Sequence, residues 1–222
     1  MQDWSPKGKK LDSKNIYHRY LEFPFEISKH PLCNTMPKQI EHHDINPWRC
    51  KKLNKFLSGI GLMICHTEVF YTPPGGAEIP IHADDAVLDN RAKINITYGP
   101  KQGRMRWWQS TKTKNITGSD EIAAYAESLA NAQFSDRFSD KKQRGNLVAE
   151  KEDSVLMHEA STNNVSLVNV GQLHSTYNPH PSEGRWTLCF IPGSHKMKYA
   201  LGRSHLTFEE AVEAFSPYIK EK

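Results

Sequence analysis

The chain lacks most of what would place it in a membrane, in an oxidising compartment or on nucleic acid. Its 222 residues hold four cysteines, Cys33, Cys50, Cys65 and Cys189, and no two stand as Cys-x-x-Cys. That spacing gives neither a zinc-finger pattern nor a disulfide framework. Cys65 and Cys189 sit in apolar runs and read as buried thiols. No apolar run approaches the ~20 residues of a membrane helix, and the stretch from Met1 to Lys10 has no apolar core of a secretory signal. A cytoplasmic protein with no membrane partner is the expectation. Excess charge is small as well: 29 Lys and Arg against 25 Asp and Glu, a net +4 with histidine neutral. That is too little to argue for nucleic acid. Lys7, Lys9, Lys10 and Lys14 read as a solvated terminus. No internal repeat or low-complexity tract is present.

What the chain does have is alternation and punctuation. Residues 1–46 show no sustained period, although Tyr17, Tyr20, Phe23 and Phe25 suggest an extended piece that packs aromatics. Trp48, Leu53, Phe56, Leu57 and Ile60 fit one helical face, ended by Gly59 and Gly61. Strands are then predicted over 62–71, 78–84, 91–98, 104–109, 146–149, 154–158, 165–170 and 185–191. Pro73 to Gly76 and Gly99-Pro100 are turns between them. Residues 111–146 read as an insertion, with Asp120 capping a short helix through Ile122, Tyr125, Ala126 and Leu129, then a polar loop. Thr207-Phe-Glu-Glu210 is a capping box that opens a terminal helix with Phe208, Val212 and Phe215. Many short strands flanked by helices predict a mainly β fold, a double-stranded β-helix of jelly-roll or cupin-like type. One domain over 1–222 is expected: an extension and helix at 1–61, a barrel core at 62–192, and a C-terminal helix segment at 193–222.

The chemistry centres on Pro80-Ile-His-Ala-Asp84. Residues two apart on a strand share a face, so His82 and Asp84 can grip one ion. Taken alone, such neighbours also fit a surface ion pair. The second half of a site appears at His174, in Gly171-Gln-Leu-His174-Ser-Thr-Tyr-Asn178. Two histidines and one carboxylate on one face of a metal leave the other positions open, as non-haem Fe(II) oxygenases require. Arg185 follows eleven residues after His174 on a strand. Its guanidinium suits a bidentate hold on a carboxylate, although a strand arginine also serves as a structural ion-pair partner.

The ordered set His82-x-Asp84, His174, Arg185 resembles the Fe(II)- and 2-oxoglutarate-dependent dioxygenase superfamily. The likeness covers residues 62–192. Arg91, Tyr98 and the His174-x-x-x-Asn178 turn resemble its prolyl-hydroxylase-like branch. The resemblance implies Fe(II) held by His82, Asp84 and His174, with 2-oxoglutarate and O2 filling the open positions. Arg185 would neutralise the far carboxylate of 2-oxoglutarate, with Thr187 and Tyr98 adding hydrogen bonds. Asn95 is a further contact, although strand parity puts it on the face opposite Tyr98. Succinate and CO2 would be released as a substrate C–H bond is hydroxylated, with ascorbate as an accessory reductant. A peptidyl, prolyl-type side chain is the substrate class that this branch implies.

Two alternatives remain open at this stage. A 2-oxoglutarate-independent cupin-type metalloenzyme keeps the barrel and the metal, but usually has more histidine ligands and no internal arginine. A non-catalytic jelly-roll module would bind nucleic acid or protein through Arg104, Arg106, Trp107 and Trp108. The rival for that cluster is a strand that buries one tryptophan in the barrel and rests the other under a loop. His42-His43-Asp44 reads as a polar loop, because adjacent histidines on a strand face opposite ways. The insertion at 111–146 is a candidate lid.

Overall fold

A computed structural model describes residues 15–46, 48, 50–84, 91–116, 146–161, 163–194 and 205–220. The helix expected after Asp120 and nearly all of the polar loop that follows it lie outside the described residues.

Thirteen strands are described: β1 His18–Leu21, β2 Glu41–Asp44, β3 Met63–Thr72, β4 Ala77–Ala83, β5 Ala92–Tyr98, β6 Arg104–Ser110, β7 Lys114–Ile116, β8 Asn146–Val148, β9 Ser154–Ser161, β10 Ser166–Asn169, β11 His174–Asn178, β12 Arg185–Gly193 and β13 Ile219–Lys220. They form two antiparallel sheets. One has seven strands in the order β13-β1-β10-β5-β12-β3-β2, the other six in the order β7-β8-β4-β11-β6-β9. Strands β3 to β6 and β9 to β12 pass back and forth between the two sheets. The central orders β10-β5-β12-β3 and β4-β11-β6-β9 are those of a double-stranded β-helix, so the jelly-roll expectation holds.

The seven-stranded sheet is covered on both faces. Its outward residues, among them Val69, Tyr71, Ile94, Ile96, Leu188 and Phe190, pack against helix α1 (Lys51–Gly59) through Leu53 and Leu57, and against helix α2 (Phe208–Phe215) through Phe208, Ala211 and Phe215. Full burial of each Val, Leu, Ile or Phe side chain among them stabilises the fold by about 1.5–3 kcal/mol. Thr207 caps α2 in the reciprocal arrangement that its sequence predicts, accepting from the Glu210 amide while the Glu210 carboxylate accepts from its own. Between the sheets lies a smaller apolar group of Met105, Trp107, Ala160, Val168 and Val170. The turn after β3 forms as expected, with Gly75 and Gly76 at positive φ (84° and 83°).

The N-terminal segment carries more structure than its lack of period suggests. β1 pairs with β10 and β2 with β3. Phe23 and Phe25 stack on each other and against Phe56 of α1. The polar loop read at His42-His43-Asp44 is strand β2. Its histidines do face opposite ways: His42 meets the buried Glu68 at 3.1 Å and His43 meets Glu41 at 2.8 Å.

Candidate metal centre

β4 and β11 lie side by side, and their register places His82 opposite His174. Four residues of β4 (79 to 82) then span the same interval as three of β11 (174 to 176), so β4 carries a bulge around Pro80 and Ile81. A bulge re-aims the side chains beside it. Here His82 and His174 face each other with ring centroids 4.4 Å apart, and Asp84 follows two residues on. Asp84 Oδ1 lies 3.2 Å from His82 Nε2 and 3.7 Å from His174 Nε2. Metal bonds of ~2.1 Å at right angles would separate neighbouring donors by roughly 3 Å, close to these spacings. Among the described residues this is the one group of three His, Cys, Asp or Glu whose ligand atoms all lie within 4.8 Å of one another.

The second nitrogen of each ring is anchored. His82 Nδ1 donates to the Pro80 carbonyl at 2.8 Å, and His174 Nδ1 donates to the Gln172 carbonyl at 2.9 Å. A carbonyl only accepts, so each Nδ1 is the donor there, and in both rings Nε2 is the nitrogen turned towards Asp84. Metal-binding histidines are oriented in this way. Burial, and then the neighbouring His82, lower the His174 pKa to about 3, so its imidazole is neutral and a competent donor. Burial raises the Asp84 pKa, but Lys93 and the two histidines outweigh that and hold it well below the carboxylate range. Two imidazoles and one carboxylate on one side of a point fit a divalent ion.

Arg185 opens β12, only 1% exposed, with Nη2 donating to Thr97 Oγ1 at 3.3 Å. Burial brings its guanidinium down to about 10, still a cation at neutral pH. Its stem passes against Gly103, where a Cβ would lie 2.5 Å from Arg185 Cδ. Thr187 follows on the same face of β12. On the neighbouring strand β5, register and parity give that face Lys93, Asn95 and Thr97. This is the inward face, because Lys93 reaches Asp84 and Asn95 Nδ2 reaches Met105 Sδ of the opposite sheet at 4.0 Å. Asn95 Oδ1 is buried and accepts no hydrogen bond from the described residues.

Tyr98 is therefore a correction. It belongs to the outward face with Ile94 and Ile96, packed on the helix-side core, with Lys29 Nζ 5.3 Å from its ring centre. The place expected for it beside Arg185 is taken by Thr97, one residue earlier. Asn95, expected opposite Tyr98, is indeed opposite it, and that puts Asn95 inside. Asn178 braces the turn before β12, donating to the carbonyls of Thr72, Pro73 and Glu183.

In the basic-aromatic cluster on β6 both tryptophans are buried, where the rival reading buried one in the barrel. Trp107 is 0% and Trp108 9% exposed, and their indoles donate to the Asn169 carbonyl and to Ser175 Oγ. Arg106 is held by Glu159 at 2.7 Å and Glu78 at 3.2 Å, and Arg104 reaches Glu159 at 3.5 Å. Neither indole is left with an open face for a base to stack on.

Lys93, Glu68, Thr97 and Gly103 escape sequence reasoning as parts of the site. Glu68 carried a usable signal, a carboxylate inside the apolar run of β3. Lys93 stood on the polar side of an alternating strand, which on its own looks solvent-facing.

No protein-family model matches the chain, and no curated protein matches it. Among solved structures it is similar to an oxalate oxidase, at 11% identity and a TM-score of 0.27, over 86% of this chain and 72% of that one. It is also similar to EvdO2 from Micromonospora carbonacea var. aurantiaca, at 12% identity and a TM-score of 0.27, over 65% of this chain and 60% of that one. These likenesses carry nothing about chemistry, and the architecture rests on the chain's own strand order. Among the described residues no helix is long and apolar enough to cross a membrane.

Proposed function

We propose that the chain is an Fe(II)- and 2-oxoglutarate-dependent oxygenase that hydroxylates a C–H bond of its substrate. The observation that carries this reading is the meeting of His82, Asp84 and His174 between the sheets, with the buried Arg185 on the inward face of the same barrel. An iron bound there would supply oxygen activation coupled to the conversion of 2-oxoglutarate to succinate and CO2.

The chain's own residues have separable tasks. The carbonyls of Pro80 and Gln172 fix the two imidazoles. Asp84 supplies the one negative donor. Arg185, steadied by Thr97, offers a cation to the distal carboxylate of a dicarboxylic acid, and Thr187 and the Asn95 amide lie on the same face within the water-poor space between the sheets. A buried cation of this kind favours a keto-acid co-substrate over a cupin-type reaction without one. A peptidyl side chain is the substrate class we put first, on the strength of the resemblance to the prolyl-hydroxylase-like branch.

Succinate formation from 2-oxoglutarate with Fe(II) and ascorbate tests the reading. The wild type should give slow turnover even without its substrate, and His174→Ala should abolish it. A wild type with no turnover, or turnover that persists in His174→Ala, would overturn the assignment.

A further inference from the structure

The inward face of the seven-stranded sheet holds a second, unexpected set of charges beside the ligands. Lys93 of β5 is 5% and Glu68 of β3 is 3% exposed. The intervening strand β12 separates their backbones, yet the Lys93 ammonium bridges them, contacting Glu68 Oε1 on one side and Asp84 Oδ2 on the other. Glu68 is pinned from behind, its Oε2 3.1 Å from His42 Nε2. The His42 ring in turn lies flat on Phe70 with centroids 4.3 Å apart. Lys93 Nζ also sits 5.3 Å from the centre of the Phe70 ring. A carboxylate that is not one of the three ligands is thus held one ammonium away from Asp84.

We propose that Lys93 is a positioning residue that keeps Glu68 out of the metal shell and so limits the protein to three donors. The inference rests on the divalent-ion reading of His82, Asp84 and His174. Buried carboxylates need a compensating charge, and removing one partner of a buried pair leaves the other exposed to the full cost. Lys93 meets that need for both carboxylates at once. The side-chain charges of Asp84, Glu68 and Lys93 then sum to −1, so a bound divalent ion leaves the site at +1 and receptive to an anionic guest. Without the ammonium, the same two carboxylates would face a divalent ion alone. The ion would neutralise both, oxygen ligands suit it, and one of the positions a co-substrate needs would close.

Co(II) serves as the probe on the purified full chain, read by calorimetric titration, visible absorption and thermal unfolding. The wild type should bind one Co(II), and His174→Ala should lose it. Lys93→Met should bind Co(II) at least tenfold tighter, with shifted d–d bands, and gain more in Tm from the ion than the wild type does. The double variant Lys93→Met/Glu68→Gln should return to the wild-type bands, a reversal that general damage to the fold would not produce. Lys93→Met with wild-type affinity and bands overturns the inference and leaves the metal reading intact. So does Lys93→Met that stays unfolded at saturating Co(II). A wild type that binds no Co(II) through His174 removes both.

Discussion

The two faces of the seven-stranded sheet differ more than the two sheets do. Along β5, Ile94 and Ile96 look outward to the helices, while Lys93, Asn95 and Thr97 look inward. Along β12, Leu188 and Phe190 look outward, while Arg185 and Thr187 look inward. Both faces are buried, and a residue's neighbours in sequence belong to the other one. Alternate residues of one strand therefore answer to different demands. The outward set excludes water and carries the stability. The inward set places charges where no solvent compensates them, which costs stability and provides a site.

The comparison can be broken most forcefully from the outward side. Phe190→Ala should lose about 3–5 kcal/mol of unfolding free energy in a denaturant titration, with the Co(II) affinity of the molecules that remain folded unchanged. A weakened metal site in folded Phe190→Ala would show that the two faces are coupled. From the inward side, Gly103→Ala should act on Arg185, whose side chain supplies the nearest atoms to the added methyl. The added methyl would meet the Arg185 stem, and overpacking of that kind costs about 1–3 kcal/mol. If Arg185 holds the co-substrate, the KM for 2-oxoglutarate should rise by roughly tenfold or more, a value in that same energy range, while Co(II) binding stays as it is. An unchanged KM would place the co-substrate elsewhere.

The smallest effect belongs to the solvent side of the other sheet and serves as a control. Burial raises the Glu78 pKa, but Ser175, Lys151 and Arg106 outweigh it and hold it below the usual 4.5. A depressed carboxyl contributes stability that is complete above its unfolded value and is lost as the pH falls through its folded value. The wild type should thus be more stable than Glu78→Gln above about pH 4.5. In thermal scans that advantage should vanish on further acidification. A difference that grows at low pH would contradict it.

Much of the fold was legible. The strands from β3 to β6 and from β8 to β12, apart from β11, announced themselves by alternation between Gly and Pro turns. The short polar strands β1 and β2 did not, because their pairing with β10 and β3 is what orders them. Of the candidate site, His82 and Asp84 were legible through the strand period, and His174 and Arg185 through their order and offset. Tyr98 was misplaced for a physical reason. Alternation separates two faces but does not say which points inward when both are covered, and here the more apolar face belongs to the helices.

The sequence by itself determined the strand parities, the capping box at Thr207 and the presence of two histidines and a carboxylate suited to an ion. Only the tertiary structure decided which face of β5 lines the barrel, and that Lys93 reaches across β12 to join Glu68 and Asp84. Local periodicity is a property of one strand. A contact between charges on non-neighbouring strands depends on how the sheets are ordered and closed, and no spacing along the chain encodes it.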